Sequence, residues 1–144
     1  MSYVKIWLHC VWSTKNKADI IPHSFRNEVL KHFRENADKK NISLDYINAH
    51  ENHVHALIRL GKQQNLATIM QYLKGESSFW INNQKVLPYH FSWQEDYFAV
   101  SIGQSQVEQV RDYIKNQDEH HKKISWDEEV ALFMKKYGFE QLKG

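Results

Sequence analysis

The chain carries one cysteine, two prolines and five glycines in 144 residues, and these scarcities narrow what it can be. A lone Cys10 forbids an internal disulfide, and the four Cys/His ligands of a structural zinc site are missing at any usual spacing. Cys10 lies in an apolar stretch and reads as a small buried hydrophobe. No run approaches the roughly 20 apolar residues that span a bilayer. No signal-peptide pattern is present, so no membrane partner and a cytoplasmic location are expected. There is no Walker-type glycine loop, hence no expected nucleotide cofactor. Neither sign of charge is in excess, with 19 basic residues, 17 acidic and a net charge of +2. That balance argues against a nonspecific duplex coater. It leaves room for a local, aromatic surface that recognises folded single strands.

What is present is 42% hydrophobic and long enough for one real core. The expectation is a single domain over 1–144, with a core over 1–121 and a helical extension over 122–144. Tyr3 to Ser13 reads as a strand with Val4, Ile6, Leu8, Cys10 and Trp12 on one face and Trp7 and His9 on the other. Pro22 opens a helix to about Lys40 with Phe25, Val29, Phe33 and Ala37 at helical spacing. Ile42 to His50 and His53 to Leu60 read as a hairpin. Asn65 caps a helix to about Asn82, in which Gly75 suggests a close approach. Phe91 to Ile102 supplies the last strand region. Ser105 caps a helix to about His121, and Ser125-Trp126-Asp127-Glu128 is a capping box opening a helix to about Tyr137. Strand, helix, strand, strand, helix, strand and closing helices predict an α+β fold. Its form is a ferredoxin-like or RRM-like antiparallel sheet with helices packed against it.

Two segments carry chemistry. In His53-Val54-His55 the strand period puts both imidazoles on one face, roughly 7 Å apart, while Val54, Ala56, Ile58 and Leu60 take the other. In Tyr113-Ile114-Lys115-Asn116-Gln117 the phenol and the carboxamide are one helical turn apart, beside an apolar stripe of Val107, Val110 and Ile114. Each has a bland reading. Nine histidines produce about half of one His-x-His by chance. A tyrosine on a helix shoulder is usually a packing residue with a wet hydroxyl. Together, in this order, they supply neutral metal ligands and a nucleophile.

The combination resembles the single-tyrosine HUH transposases, where HUH is histidine-hydrophobic-histidine: small insertion-sequence transposases and their relatives associated with repetitive extragenic palindromes. His53-Val54-His55 matches the HUH element, and Tyr113-x-x-x-Gln117 matches the nucleophile and third metal ligand. Val11-Trp12-Ser13-Thr14-Lys15, Leu73-Lys74-Gly75 and Trp93-Gln94-Glu95-Asp96-Tyr97-Phe98 also fit, so the likeness runs from about Tyr3 to His121. Many relatives carry Pro-Asn or Pro-Asp before the HUH element where this chain has Glu51-Asn52, which leaves Glu51 as an accessory ligand or proton acceptor. The resemblance implies hairpin-bearing single-stranded DNA as substrate and a 5′-phosphotyrosine intermediate. It also implies a homodimer, whose sites in this family can be completed in trans; the Gly103-Gln104-Ser105 joint would permit the tyrosine helix to cross, and cis and trans sites both stay open.

Neutral His53, His55 and Gln117 would leave a divalent ion its full charge for a phosphate, and Mg²⁺ or Mn²⁺ is the expected ion. His120-His121 reads mainly as favourable against a helix dipole. Lys15, Lys17, Arg59 and Lys74 are candidate phosphate contacts, each weighed against a solvated surface charge. Trp7 and His9 are placed to stack bases or pack under a helix. Two other classes use the same residues: a binding-only ferredoxin-like module in which the histidine pair is incidental, and a replication or conjugation nickase.

Overall fold

A computed structural model describes residues 1–17 and 21–139, with nothing to be said of the Lys17 side chain. Four strands, β1 (Ile6–Ser13), β2 (Ser43–His50), β3 (His53–Leu60) and β4 (Phe98–Ile102), form one sheet in the order β2-β3-β1-β4, with every pair antiparallel. Helices α1 (His23–Lys39) and α2 (Leu66–Gln84) cover one face. The other face carries α3 (Val107–Lys115), α4 (Gln117–His121) and α5 (Trp126–Tyr137). This is the expected ferredoxin-like order, with the HUH strand β3 and the opening strand β1 in the centre.

Strand alternation decides which side chain serves which layer. Cys10 and Trp12 of β1 and Val54, Ala56 and Ile58 of β3 enter the larger core, with Phe25, Val29, Phe33 and Ala37 of α1 and Ile69, Met70 and Leu73 of α2. Burial at this density pushes the Cys10 thiol up to about 12, as expected of an inert packing residue. Residues of the opposite parity, Trp7 and Leu57, join Ile102 and the α3 stripe of Val107, Val110 and Ile114 in a smaller second core. Both faces of the sheet are therefore covered.

Several expected boundaries move for physical reasons. β1 begins at Ile6 because its register partner is Leu60, the last residue of β3, and no pairing strand extends further. β4 begins at Phe98, opposite Val11. The chain before it is tied by Asn82, whose side chain receives the Phe91 N–H at 2.7 Å and donates to the Phe91 carbonyl at 2.8 Å. Ser105 is not a cap: it lies inside a 3₁₀ turn, Gln104–Gln106, that leads into α3. A Cβ on Gly75 would meet nothing within 4 Å, so the close approach expected there is absent. The capping box on α5 is present, with the Ser125 hydroxyl accepting from the Glu128 N–H. Gly138 ends that helix at φ 64°, a left-handed turn suited to glycine. Among the described residues no helix is long and apolar enough to cross a membrane.

Candidate metal and nucleophile site

β3 is flanked by β1 and β2, so the backbone on either side of His53 and His55 is paired and the rings are fixed at their roots. Both are fully buried beneath α3, α4 and α5. His53 Nδ1 lies 3.0 Å from Asn52 Oδ1, and Nε2 is directed into the site. That nitrogen lies 3.3 Å from Gln117 Oε1 and 3.9 Å from Glu129 Oε2. The ring is stacked on Trp126 at 3.9 Å between centroids and 16° between planes. His55 Nδ1 is 2.9 Å from His9 Nε2, and His55 Nε2 is 2.7 Å from Glu129 Oε1.

The electrostatics follow from burial. His53 is driven down to about 2, first by desolvation and then by neighbouring His55, against the pull of Glu129. His55 and His9 are lowered for the same first reason. Burial alone would raise the Glu129 carboxyl, but His121 and His55 beside it and the hydroxyl of Tyr113 outweigh that and hold it well below the usual range. The site is thus a buried carboxylate among neutral imidazoles.

Tyr113 reaches this cluster because the apolar stripe of α3 seats the helix on the sheet. Arg111 pins the helix to β2 through Asp45 at 2.9 and 3.0 Å. Asn48 of β2 donates to the Ile114 carbonyl at 2.9 Å. The phenol donates to Glu129 Oε1 at 2.7 Å and lies 3.3 Å from His120 Nε2. Burial, and after it the Glu129 charge, push the phenol above its ordinary value.

The tyrosine helix does not run unbroken to His121. It stops at Lys115, and Asn116 (φ −96°, ψ 27°) redirects the chain so that Gln117 starts α4. The break turns Gln117 fully inward, where a straight helix would have left it at the edge of the packed face. Asp118 anchors the new direction, accepting from Arg26 Nη1 at 2.8 and 2.9 Å and lying 3.1 Å from His50 Nδ1.

His53, His55, Gln117 and Tyr113 therefore meet within one chain. The cationic candidates spread out. Exposed Lys15 follows the end of β1 that pairs with His53. Arg59 sits six residues along β3, roughly 20 Å away, over the Trp7 ring. Lys74 belongs to the opposite face, where it donates to the Glu95 carbonyl at 2.6 Å over the Tyr97 ring; half burial lowers its ammonium. The Lys17 side chain lies outside the described residues.

The geometry refines three expected roles. Glu51 is exposed at the β2–β3 turn, and the carboxylate at the site is Glu129. His120 and His121 do lie in the last turn of α4, and His121 also contacts Glu129, with His120 3.8 Å from the same residue. Of the helical extension expected beyond residue 121, α5 brings Trp126 and Glu129 against the histidines. A readable signal existed: Trp126, Glu129, Phe133 and Tyr137 recur at helical spacing, which sets a carboxylate inside an apolar stripe.

The donor set fits a cation. His53, His55 and Glu129 offer ligand atoms within 4.8 Å of one another. Adjacent ligands of an octahedral ion with bonds of about 2.1 Å lie about 3 Å apart. His55 Nε2 and Glu129 Oε2 are buried, the first against Glu129 Oε1 and the second against His121 Nε2. Two ring nitrogens, an amide oxygen and a carboxylate thus present electron pairs to one small space.

A ferredoxin-like sheet whose central His-x-His strand faces a tyrosine on a covering helix defines the class of protein. Residues 2–117 match the family described as IS200-like transposases, and the chain belongs to that family, whose members cleave and rejoin DNA. Among solved structures, it is similar to a candidate transposase from Deinococcus radiodurans R1. The TM-score is 0.65 at 21% identity, covering 81% of this chain and 95% of that one. It is similar also to a REP-associated tyrosine transposase solved bound to a REP hairpin. There the TM-score is 0.65 at 13% identity, covering 86% of this chain and 73% of that one. At these identities the two structures speak for the fold. No curated protein matches the sequence.

Proposed function

We propose that this chain is a divalent-metal-dependent transposase that cuts and rejoins single-stranded DNA at hairpin-marked ends, with Tyr113 as nucleophile. The observation that carries the reading is shared by three residues: Tyr113 Oη and His55 Nε2 each lie 2.7 Å from the same oxygen of Glu129. A nucleophile one carboxylate away from a ligand nitrogen is placed to act on a phosphate beside the ion. The family assignment supports it, and so does the likeness to a transposase bound to a REP hairpin.

His53, His55 and Glu129, with the Gln117 carboxamide, would hold the ion. Mg²⁺ or Mn²⁺ suits the two oxygen donors, and when bound it supplies charge to polarise a non-bridging phosphate oxygen. Tyr113, oriented by its hydrogen bond to Glu129, loses its proton as its oxygen attacks. Its oxygen then forms a bond to phosphorus as the bond from phosphorus to the 3′-oxygen breaks, and that oxygen takes up a proton. The product is a 5′-phosphotyrosine and a free 3′-hydroxyl. Reversal with another 3′-hydroxyl rejoins the strand without an external energy source.

Lys15, exposed just past the end of β1 that pairs with His53, would contact phosphates near the cut, and Lys17 is proposed as a further phosphate contact. Arg59 and Lys74 would serve DNA farther away. The whole of 1–144 acts as one unit in the cytoplasm, because α5 contributes to the site. Two such chains form a homodimer, so that two strand ends are held together. The test uses hairpin oligonucleotides drawn from the DNA flanking the gene. With Mg²⁺ or Mn²⁺ the full-length protein is expected to cleave them and migrate as a covalent adduct on a denaturing gel. EDTA or His55→Ala abolishes both. Cleavage that persists in EDTA with His55→Ala overturns the proposal.

A further inference from the structure

We infer that the cavity between α3 and α5 is a subsite for one unpaired nucleobase beside the scissile phosphate; this rests on the reading of Tyr113 as the nucleophile. His53, His55, Gln117 and Glu129 are all but sealed from solvent, whereas Tyr113 is only partly buried. Tyr113 opens onto a cavity of about 270 Å³, which it lines together with Glu129. A second hollow, against His55 and Trp126, has no room for a water molecule. A strand that is to meet the phenol therefore has its way in between α3 and α5.

The size and the walls of the cavity select its occupant. Drug-sized ligands fill pockets of about 300 Å³ or more, so this one suits a flat group the size of a single base. Its sides include Phe133 and Tyr137, and the Tyr137 ring, held edge-on to Phe133 at 4.8 Å, offers a platform on which any base can stack. Exposed Gln106, Gln109 and Lys136 stand at the mouth. Among the described residues neither glutamine amide has a hydrogen-bond partner, and Lys136 forms no ion pair, its ammonium lying 5.2 Å from the centre of the Tyr137 ring. A carboxamide carries both donor and acceptor and so matches the edge of a base. A phosphate inside would lose its hydration against apolar walls. The neutral base therefore turns inward and the backbone stays at the mouth beside Lys136. A base is joined to its own phosphate through one sugar, so a phosphate brought to Tyr113 carries its base to the cavity that Tyr113 lines.

The inference is tested on the full-length protein with hairpin oligonucleotides from the flanking DNA, first without cleavage. Iodouracil, which photo-crosslinks to aromatic side chains, is placed in turn at each unpaired position, the complex is irradiated in EDTA, and the cross-linked peptide is sequenced. The expected product joins a nucleotide next to the cut to Tyr137. With Mn²⁺, an abasic nucleotide at that position is expected to slow adduct formation about 5- to 150-fold, the range for losing one base–aromatic stack. Tyr137→Leu is expected to slow the intact hairpin by a similar factor and to leave the abasic hairpin at its wild-type rate, a pattern that a general structural defect does not produce. Cross-links confined to other surfaces, full speed with every abasic hairpin, or equal slowing of both substrates by Tyr137→Leu overturns the inference. If Tyr137→Leu does not fold, the cross-link and the abasic hairpins decide on the wild-type protein. Failure of the nucleophile reading is separate and visible, since wild type would then form no adduct or Tyr113→Phe would still form one, while the cross-link reports whether a base enters the cavity.

Discussion

Acid should weaken this fold well above the pH at which carboxylates titrate, because its imidazoles are buried neutral. His53 is driven from 6.5 to about 2, and His55 and His9 shift the same way. Between those limits the unfolded chain binds protons that the folded chain refuses, so stability falls as pH drops below 6.5. For His53 alone the loss between pH 7.5 and 5.5 is about 1.4 kcal/mol, and His9 and His55 act in the same direction. Glu129 acts in a lower window: its folded value is depressed below 4.5, so its stabilising contribution is present above 4.5 and is lost as pH falls below that. The assay is urea unfolding in EDTA, followed by tryptophan fluorescence, at pH 7.5 and 5.5. With a slope of about 2 kcal/mol per molar urea, the His53 contribution alone should lower the midpoint by about 0.7 M. His53→Gln should remove about 0.7 M of the fall between the two pH values. Equal midpoints at the two pH values would show that the imidazoles are not held neutral, and would refute the burial argument.

Because all the site residues meet in one chain, a mixture of His53→Ala/His55→Ala protein with Tyr113→Phe protein is expected to stay inactive in hairpin cleavage. Recovered cleavage would mean that the tyrosine helix crosses to a partner, as the resemblance to the HUH transposases permits. Glu129→Gln is expected to weaken Mn²⁺ binding by at least about tenfold, on the scale of an outer-partner loss or beyond it. Glu51→Gln, at an exposed turn, is expected to leave binding unchanged, and the reverse order in a Mn²⁺ titration would restore Glu51 to the role first expected of it.

The parts of this site that were legible in sequence are those governed by local periodicity. Alternation along β3 put His53 and His55 on one face, and the Val107, Val110 and Ile114 stripe oriented α3, because each pattern is set by the geometry of a single element. The break at Asn116 was not legible. It arises where Asp118 pairs with Arg26, 92 residues away, a tertiary contact that overrides a run of acceptable helix formers. Glu129 was hidden for a different reason. It sits in the first turn of α5, where an acidic residue has an adequate local explanation in the helix dipole. Only its place between Trp126 and Phe133 on the apolar side hinted that it points inward. His9 was seen as a residue for bases or packing, and its partner His55 is visible only once β1 is registered against β3.

The central claim, that Tyr113 becomes covalently joined to DNA beside the His53–His55–Glu129 cluster, is tested most directly by mass spectrometry of the trapped adduct. Wild-type protein is incubated with a hairpin oligonucleotide and Mn²⁺, denatured and digested, and the nucleotide-bearing peptide is sequenced. The account predicts a 5′-phosphonucleotide on Tyr113 and no adduct from Tyr113→Phe. A DNA-linked peptide bearing its modification on another residue such as Tyr97, or an adduct that survives Tyr113→Phe, would contradict it.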